Sequence, residues 1–159
     1  ASIREKFRGN ERDFEFYCAQ LYRAAGWDAT VTPGSGDGGC DIELRDETGL
    51  AAIVECKCWN AEHKVGRPVI QKLFGANATF NAPRMIFVTT SDFSSEAIEY
   101  ARVTGVELVN GRELLRMAQS AFMASESTRS LSDREWELNR TDLLRYYPPD
   151  YPPERFETL

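Results

Sequence analysis

Between Cys40 and Cys58 the residues alternate in a way that only one kind of structure can use. The even positions Cys40, Ile42, Leu44, Ala52, Val54, Cys56 and Cys58 are apolar or thiol, whereas the odd positions include Asp41, Glu43, Arg45, Glu55 and Lys57. A period of two is that of a β-strand, whose successive side chains point to opposite faces. The segment Asp46-Glu47-Thr48-Gly49 interrupts the pattern with turn residues, so two strands, about 40–45 and 50–58, form a hairpin. If the turn is centred on Thr48, Asp41 lies opposite Glu55, at the roughly 5 Å Cβ separation of direct cross-strand neighbours. Glu55 and Lys57 are two apart and share a face. The pattern predicts a core face and a face that gathers two carboxylates and a lysine.

The rest of the chain supplies what such a hairpin needs to be buried. Asn10 and Asp13 suit a helix start, Phe14, Cys18, Leu21 and Ala25 recur at helical spacing, and Gly26 is placed to end it. A strand over 27–31 and a glycine-rich loop, Pro33 to Gly39, lead into Asp41. Helices are predicted over about 67–80, from Ser94 to about Thr104, and over 112–123, the last with Asn110 and Glu113 as a capping box. Short apolar strands fall at 85–89 and 106–109. The order α-β-β-β-α-β-α-β-α implies an α/β domain with a mixed central sheet flanked by helices. After residue 124 the composition shifts. Residues 125–132 are polar and Ser-rich and read as a linker, Ser132 and Glu135 suit a short further helix, and four of the seven prolines follow in 147–153. The expected division is a domain over 1–124 and a C-terminal appendage over 125–159.

Composition narrows the chemistry. The longest apolar runs are far too short to cross a bilayer, so no membrane partner is expected, and no apolar leader is visible. The four cysteines, Cys18, Cys40, Cys56 and Cys58, form no C-x-x-C pair and read as free thiols of a reducing, cytoplasmic compartment rather than as zinc ligands. With one histidine, His63, acid–base chemistry is left to carboxylates and lysines. Two carboxylates held close repel one another unless a cation lies between them, and all-oxygen donors favour a hard ion such as Mg²⁺, with Mn²⁺ able to substitute. Asp41, Glu55 and the main-chain carbonyl of Cys56 are the candidate ligands. Lys57 beside them is suited to positioning a water or stabilising charge on a phosphate.

Gly38-Gly39-Cys40-Asp41-Ile42 followed by Val54-Glu55-Cys56-Lys57 resembles the Asp…Glu-x-Lys signature of the restriction-endonuclease-like nucleases. More narrowly, the chain resembles the catalytic domain of Mrr-type restriction endonucleases. The resemblance runs in order through Phe14-Glu15, Ala25-Gly26-Trp27, Pro33 to Gly39, Lys64 to Pro68, Gln71 to Ala76 and Val88 to Ser91, with Phe93-Ser94, over about residues 8–120. It implies a restriction-endonuclease-like three-layer core and Mg²⁺-dependent cleavage of DNA in restriction or defence. It assigns metal binding to Asp41 and Glu55 and catalysis to Lys57. It adds Glu15, a helix-borne carboxylate at the edge of the first helix's apolar stripe, and Gln71, on a helix the family uses near its site. Many relatives carry Gln where this chain has Glu55.

Lys64, Arg67 and Lys72 cluster after the hairpin and suit phosphate contacts, with Ser35 of the glycine loop (or Asp37) a further contact. A structure-selective nuclease, such as a junction resolvase, and a non-catalytic nucleic-acid-binding module are the alternative readings. No reader domain is evident, so targeting is expected from a homodimer or higher oligomer, a partner, or a further domain. Taken alone, the formal net charge of −6 opposes DNA binding. Residues 1–124, however, hold 14 basic and 17 acidic groups, so half of the excess lies in the appendage. Weak, salt-sensitive, metal-assisted binding is the expectation.

Overall fold

Nine residues, Gly49–Lys57, form the strand β3 around which the other elements are arranged; Ala51 to Cys56 are buried without a break. The computed structural model describes residues 2–33 and 39–129, with side chains through residue 125. In chain order the elements are α1 (Ile3–Lys6), α2 (Glu11–Ala24), β1 (Asp28–Val31), β2 (Ile42–Asp46), β3, α3 (Arg67–Phe80), β4 (Arg84–Thr89), α4 (Ser95–Thr104), β5 (Val106–Val109) and α5 (Gly111–Arg129). The sheet order is β1-β2-β3-β4-β5, antiparallel through β3 and parallel from β3 to β5. This is the mixed α/β architecture expected from the sequence, with α1 as an added turn capped by Ser2 and Glu5.

Two cores sandwich the sheet. On one face Phe14, Cys18 and Leu21 of α2 and Leu114 of α5 pack on Ile42, Leu44, Ala52, Val54 and Cys56. On the other, Ile70 and Leu73 of α3 and Ala97 and Ala101 of α4 pack on Ile53 and Phe87. Fully burying a side chain such as Phe14 or Phe87 stabilises by about 1.5–3 kcal/mol. The second core corrects the simple parity reading. The odd face is not polar throughout, because α3 and α4 cover Ile53, and Cys40 joins that second core rather than the first. On β3 itself the charged side chains, Glu55 and Lys57, lie at the C-terminal end.

Local signals act as their chemistry dictates. Asn10 caps α2 through Asp13, Ser94 caps α4 through Ala97, and Asn110 and Glu113 exchange the two hydrogen bonds of a capping box. Gly105 ends α4 in the left-handed region at φ 77°. Helix α5 runs on through Arg129, where the polar composition predicted a linker: residues 125–129 contain no Gly or Pro, and Ser125 Oγ bonds back to the Phe122 carbonyl at 2.7 Å. The chain groups into Ala1–Ala121 and Phe122–Leu159. The helix expected after Ser132 and the proline-rich segment lie outside the described residues.

The hairpin keeps the expected register where it matters. Ile42 pairs with Val54, Glu43 with Ile53 and Leu44 with Ala52, while the register shifts between Leu44 and Arg45 so that Asp46 pairs with Gly49 across Glu47-Thr48. Asp46 Oδ1 holds that tip by accepting from the Thr48 amide and hydroxyl.

Gly39, at the mouth of the hairpin, has φ 82°, and a Cβ there would lie 2.3 Å from the Ala76 Cβ of α3. Only a glycine lets the loop cross the helix this closely. Gly39→Ala should cost about 1–3 kcal/mol, from overpacking and left-handed strain. The Gly39→Ala, Ala76→Gly pair should recover the packing part alone. Urea unfolding of the parent, the single variant and the pair checks this; an unchanged midpoint in Gly39→Ala would refute the close approach.

Candidate active site

Asp41 lies one residue before β2 and acts as the strand's terminus rather than as a ladder residue across from Glu55. Its amide donates to the Val54 carbonyl at 2.8 Å, and its Oδ2 accepts the Cys56 amide at 2.7 Å. That second bond fixes the carboxylate against β3 between Glu55 and Lys57. Thr32 secures the same point from the β1 side, its hydroxyl donating to the Cys40 carbonyl at 2.8 Å.

Glu55 is only 8% exposed. Its Oε1 pairs with Lys57 Nζ at 3.0 Å, as two residues on one face of a strand can. Glu15 reaches the same region from α2 and is held by Arg12 at 2.8 Å. Arg12 was not singled out from the sequence. It also donates to the Thr32 carbonyl at 2.7 Å, and it stacks 4.9 Å from the Phe16 ring centroid, so it joins α2, the entry to the glycine loop and Glu15. The only signal for it was its i, i+3 spacing to Glu15.

Crowding acidic groups out of water has the expected effect. Burial raises the pKa of Asp41, only partly offset by the Cys56 amide and the Lys57 charge. Burial and then the Asp41 charge raise both Glu15 and Glu55. For Lys57, burial works to lower the pKa, but the charge and hydrogen bond of Glu55, together with Asp41, leave it raised, so the amine stays protonated. Three carboxylates thus share one lysine and one arginine.

The remaining candidates are spread around this group. Lys72 on α3 is exposed, yet its charge acts on Glu55, which places it within electrostatic reach. Lys64 is exposed in the loop after β3, and Gln71 is exposed on α3. Arg67, at the start of α3, lies over the Tyr100 ring at 4.9 Å. No contact among the described residues ties Lys64, Arg67 or Gln71 to the carboxylates. Ser35 and Asp37 lie outside the described residues.

The donor set suits a hard divalent ion. Among the described residues no group of three or more His, Cys, Asp and Glu side chains is arranged around one ion position. One oxygen of Asp41 and one of Glu55 take no hydrogen bond from the described residues. Mg²⁺ characteristically takes one or two protein carboxylates and keeps its waters, so two such oxygens beside a surplus of negative charge fit it.

The fold is that of restriction endonucleases. The DNA modification-dependent restriction endonuclease AspBHI superposes with a TM-score of 0.58 at 22% identity, over 81% of this chain and 38% of that one. The MspJI restriction endonuclease, solved in complex with a 27-mer oligonucleotide, gives 0.55 at 18% identity, over 77% of this chain and 29% of that one. The family model Mrr_cat, described as a restriction endonuclease, matches residues 8–118, and the chain belongs to that family. Over 87 residues it is 41% identical to the type IV methyl-directed restriction enzyme EcoKMrr of Escherichia coli K12, across 53% of this chain and 28% of that protein. The chain thus spans about a quarter of the length of the curated relatives it matches.

In metal-free buffer the sign of the pH effect follows from the raised carboxylates. Below their unfolded pKa values both states are protonated and the groups contribute nothing. As pH rises through the window up to the raised folded values, the folded state holds more protons and stability falls. Asp41→Asn keeps an acceptor for the Cys56 amide while removing a charge. Its melting temperature should match the parent at about pH 3 and exceed it as pH rises through that window, the gain staying constant from the top of the window to about pH 8. Differential scanning fluorimetry across that range checks this; a variant less stable than the parent at pH 8 would contradict it.

Proposed function

We propose that this chain is a metal-dependent DNA endonuclease domain that hydrolyses phosphodiester bonds in restriction or defence against foreign DNA. The observation that carries the reading is the convergence of Asp41, Glu55 and Lys57 at the C-terminal end of β3, with Asp41 locked onto the Cys56 amide. Family membership supports it. Asp41 and Glu55 would hold the ion, with the Cys56 carbonyl the third candidate ligand. Mg²⁺ is the proposed ion, with Mn²⁺ able to substitute; when bound it supplies Lewis acidity toward a phosphate oxygen and a more acidic water.

The chain's own groups do the rest. Lys57, held protonated by Glu55, presents Nζ–H donors to the attacking water and to the charge that develops on the phosphate. Glu15, kept in place by Arg12, adds a carboxylate from the helix side that can orient that water. Lys64, Arg67 and Lys72, with Gln71 and Ser35, are the proposed contacts to the DNA backbone, and such contacts position the duplex without reading sequence.

Lys57→Ala should lower the cleavage rate on supercoiled plasmid in Mg²⁺ about 100-fold or more, as loss of a charge-stabilising donor does in other enzymes. Mg²⁺ at about 100 times its Kd should stabilise the parent by about 2.7 kcal/mol, and Asp41→Asn should lose most of that gain. Full cleavage by Lys57→Ala, or a parent that neither cuts DNA nor gains stability from Mg²⁺ or Mn²⁺, overturns the reading.

A further inference from the structure

Immediately beyond Lys57 the chain is held in a manner that neither the core nor the carboxylate cluster requires. Three consecutive hydroxyls at the end of β4 donate to alternate carbonyls of the neighbouring segment. Thr89 Oγ1 donates to the Lys57 carbonyl at 2.9 Å, and Thr90 Oγ1 to that of Trp59 at 2.7 Å. Ser91 Oγ donates to that of His63 at 2.7 Å and lies 3.4 Å from that of Ala61. Thr89 and Ser91 are buried, whereas residues 60–64 are exposed. The Asn60 carbonyl accepts the His63 amide at 2.9 Å, and the Val65 amide donates to the Asp92 carbonyl at 2.8 Å, so the loop is closed at both ends. An exposed loop with its backbone fixed by buried hydroxyls loses little freedom on meeting a ligand.

What this loop presents is an aromatic pair. Cys58 packs into the same core as Cys56, while Trp59 packs with Ile53 and Phe87, so Trp59 continues the face that carries Glu55 and Lys57. His63 meets the Trp59 ring edge-on at 4.6 Å between centroids, and Trp59 is only partly buried. One residue pair along an extended chain is about 7 Å, close to the spacing of neighbouring phosphates in DNA. We propose that Trp59 and His63 form a binding subsite for the nucleotide that flanks the scissile phosphate. The Trp59 ring packs on its sugar and base, His63 donates to its phosphate, and the Thr89–Thr90–Ser91 hydroxyls keep the subsite in register with Lys57. The subsite rests on the endonuclease reading and adds nucleotide contacts to it.

The test uses the intact chain. Trp59→Phe keeps the packing and removes the indole, and His63→Ala changes an exposed side chain. Tryptophan fluorescence is followed on titration with a 20-base-pair duplex in Ca²⁺, and plasmid cleavage is measured in Mg²⁺. The parent fluorescence should be quenched by DNA, and Trp59→Phe should lose that quench. Because a hydrogen bond to a charged group is worth on the order of tenfold in affinity, His63→Ala should raise KM about five-fold or more with kcat little changed. Ser91→Ala, which loosens the loop alone, should raise KM in the same direction. If the parent cleaves and Lys57→Ala does not, yet the quench survives in Trp59→Phe and His63→Ala leaves KM within about two-fold, the subsite is refuted while the endonuclease reading stands. If the parent neither binds nor cleaves DNA, both fall together.

Discussion

The bond from the Cys56 amide to Asp41 Oδ2, at 2.7 Å, is the constraint on which the site depends. It joins the second residue after the glycine-rich Pro33–Gly39 segment to the C-terminal end of the most buried strand, and so holds the carboxylate in place. Cys56 packs in the core with Cys18 and Phe14 of α2, so the amide that holds Asp41 is itself held by hydrophobic packing. Glu55 and Lys57, the neighbours of Cys56 in the chain, then take their places by strand geometry alone. Burial that destabilises each carboxylate by itself is tolerated because β3 has strongly packed apolar residues from Ala51 to Val54 to offset it.

Much of this was legible in the sequence because it rests on a period of two. The alternation from Cys40 to Cys58 located both strands, and the Ile42–Val54 register follows from it. Cap residues at Asn10, Ser94 and Asn110 marked helix starts correctly because each offers an oxygen to an otherwise unpaired amide. What the pattern could not show was anything set by contacts distant in the chain. The burial of Ile53 on the supposedly polar face depends on α3 and α4. The hold of Arg12 on the Thr32 carbonyl spans 20 residues. The hydroxyls of Thr89 to Ser91 could be read as strand-end polarity, since nothing local says that their partners lie about 30 residues earlier.

The site draws on both halves of a mixed sheet. The antiparallel half brings Asp41 to β3 through a short connection, so the carboxylate's position is a local property of one hairpin. The parallel half brings the hydroxyl ladder to the same strand through a helical crossover, α3, which also carries Lys72. A single strand, β3, is therefore the reference for groups that arrive by two different routes.

The register shift between Leu44 and Arg45 has an evolutionary reading. It separates the hairpin tip from the paired residues that set Asp41, so the tip is mechanically insulated from the site. Turns of other lengths and charges, or even an inserted module, can be exchanged at Glu47-Thr48 without re-aiming the carboxylate. The offset is thus a place where the sequence of this hairpin can drift at little cost to the position of Asp41.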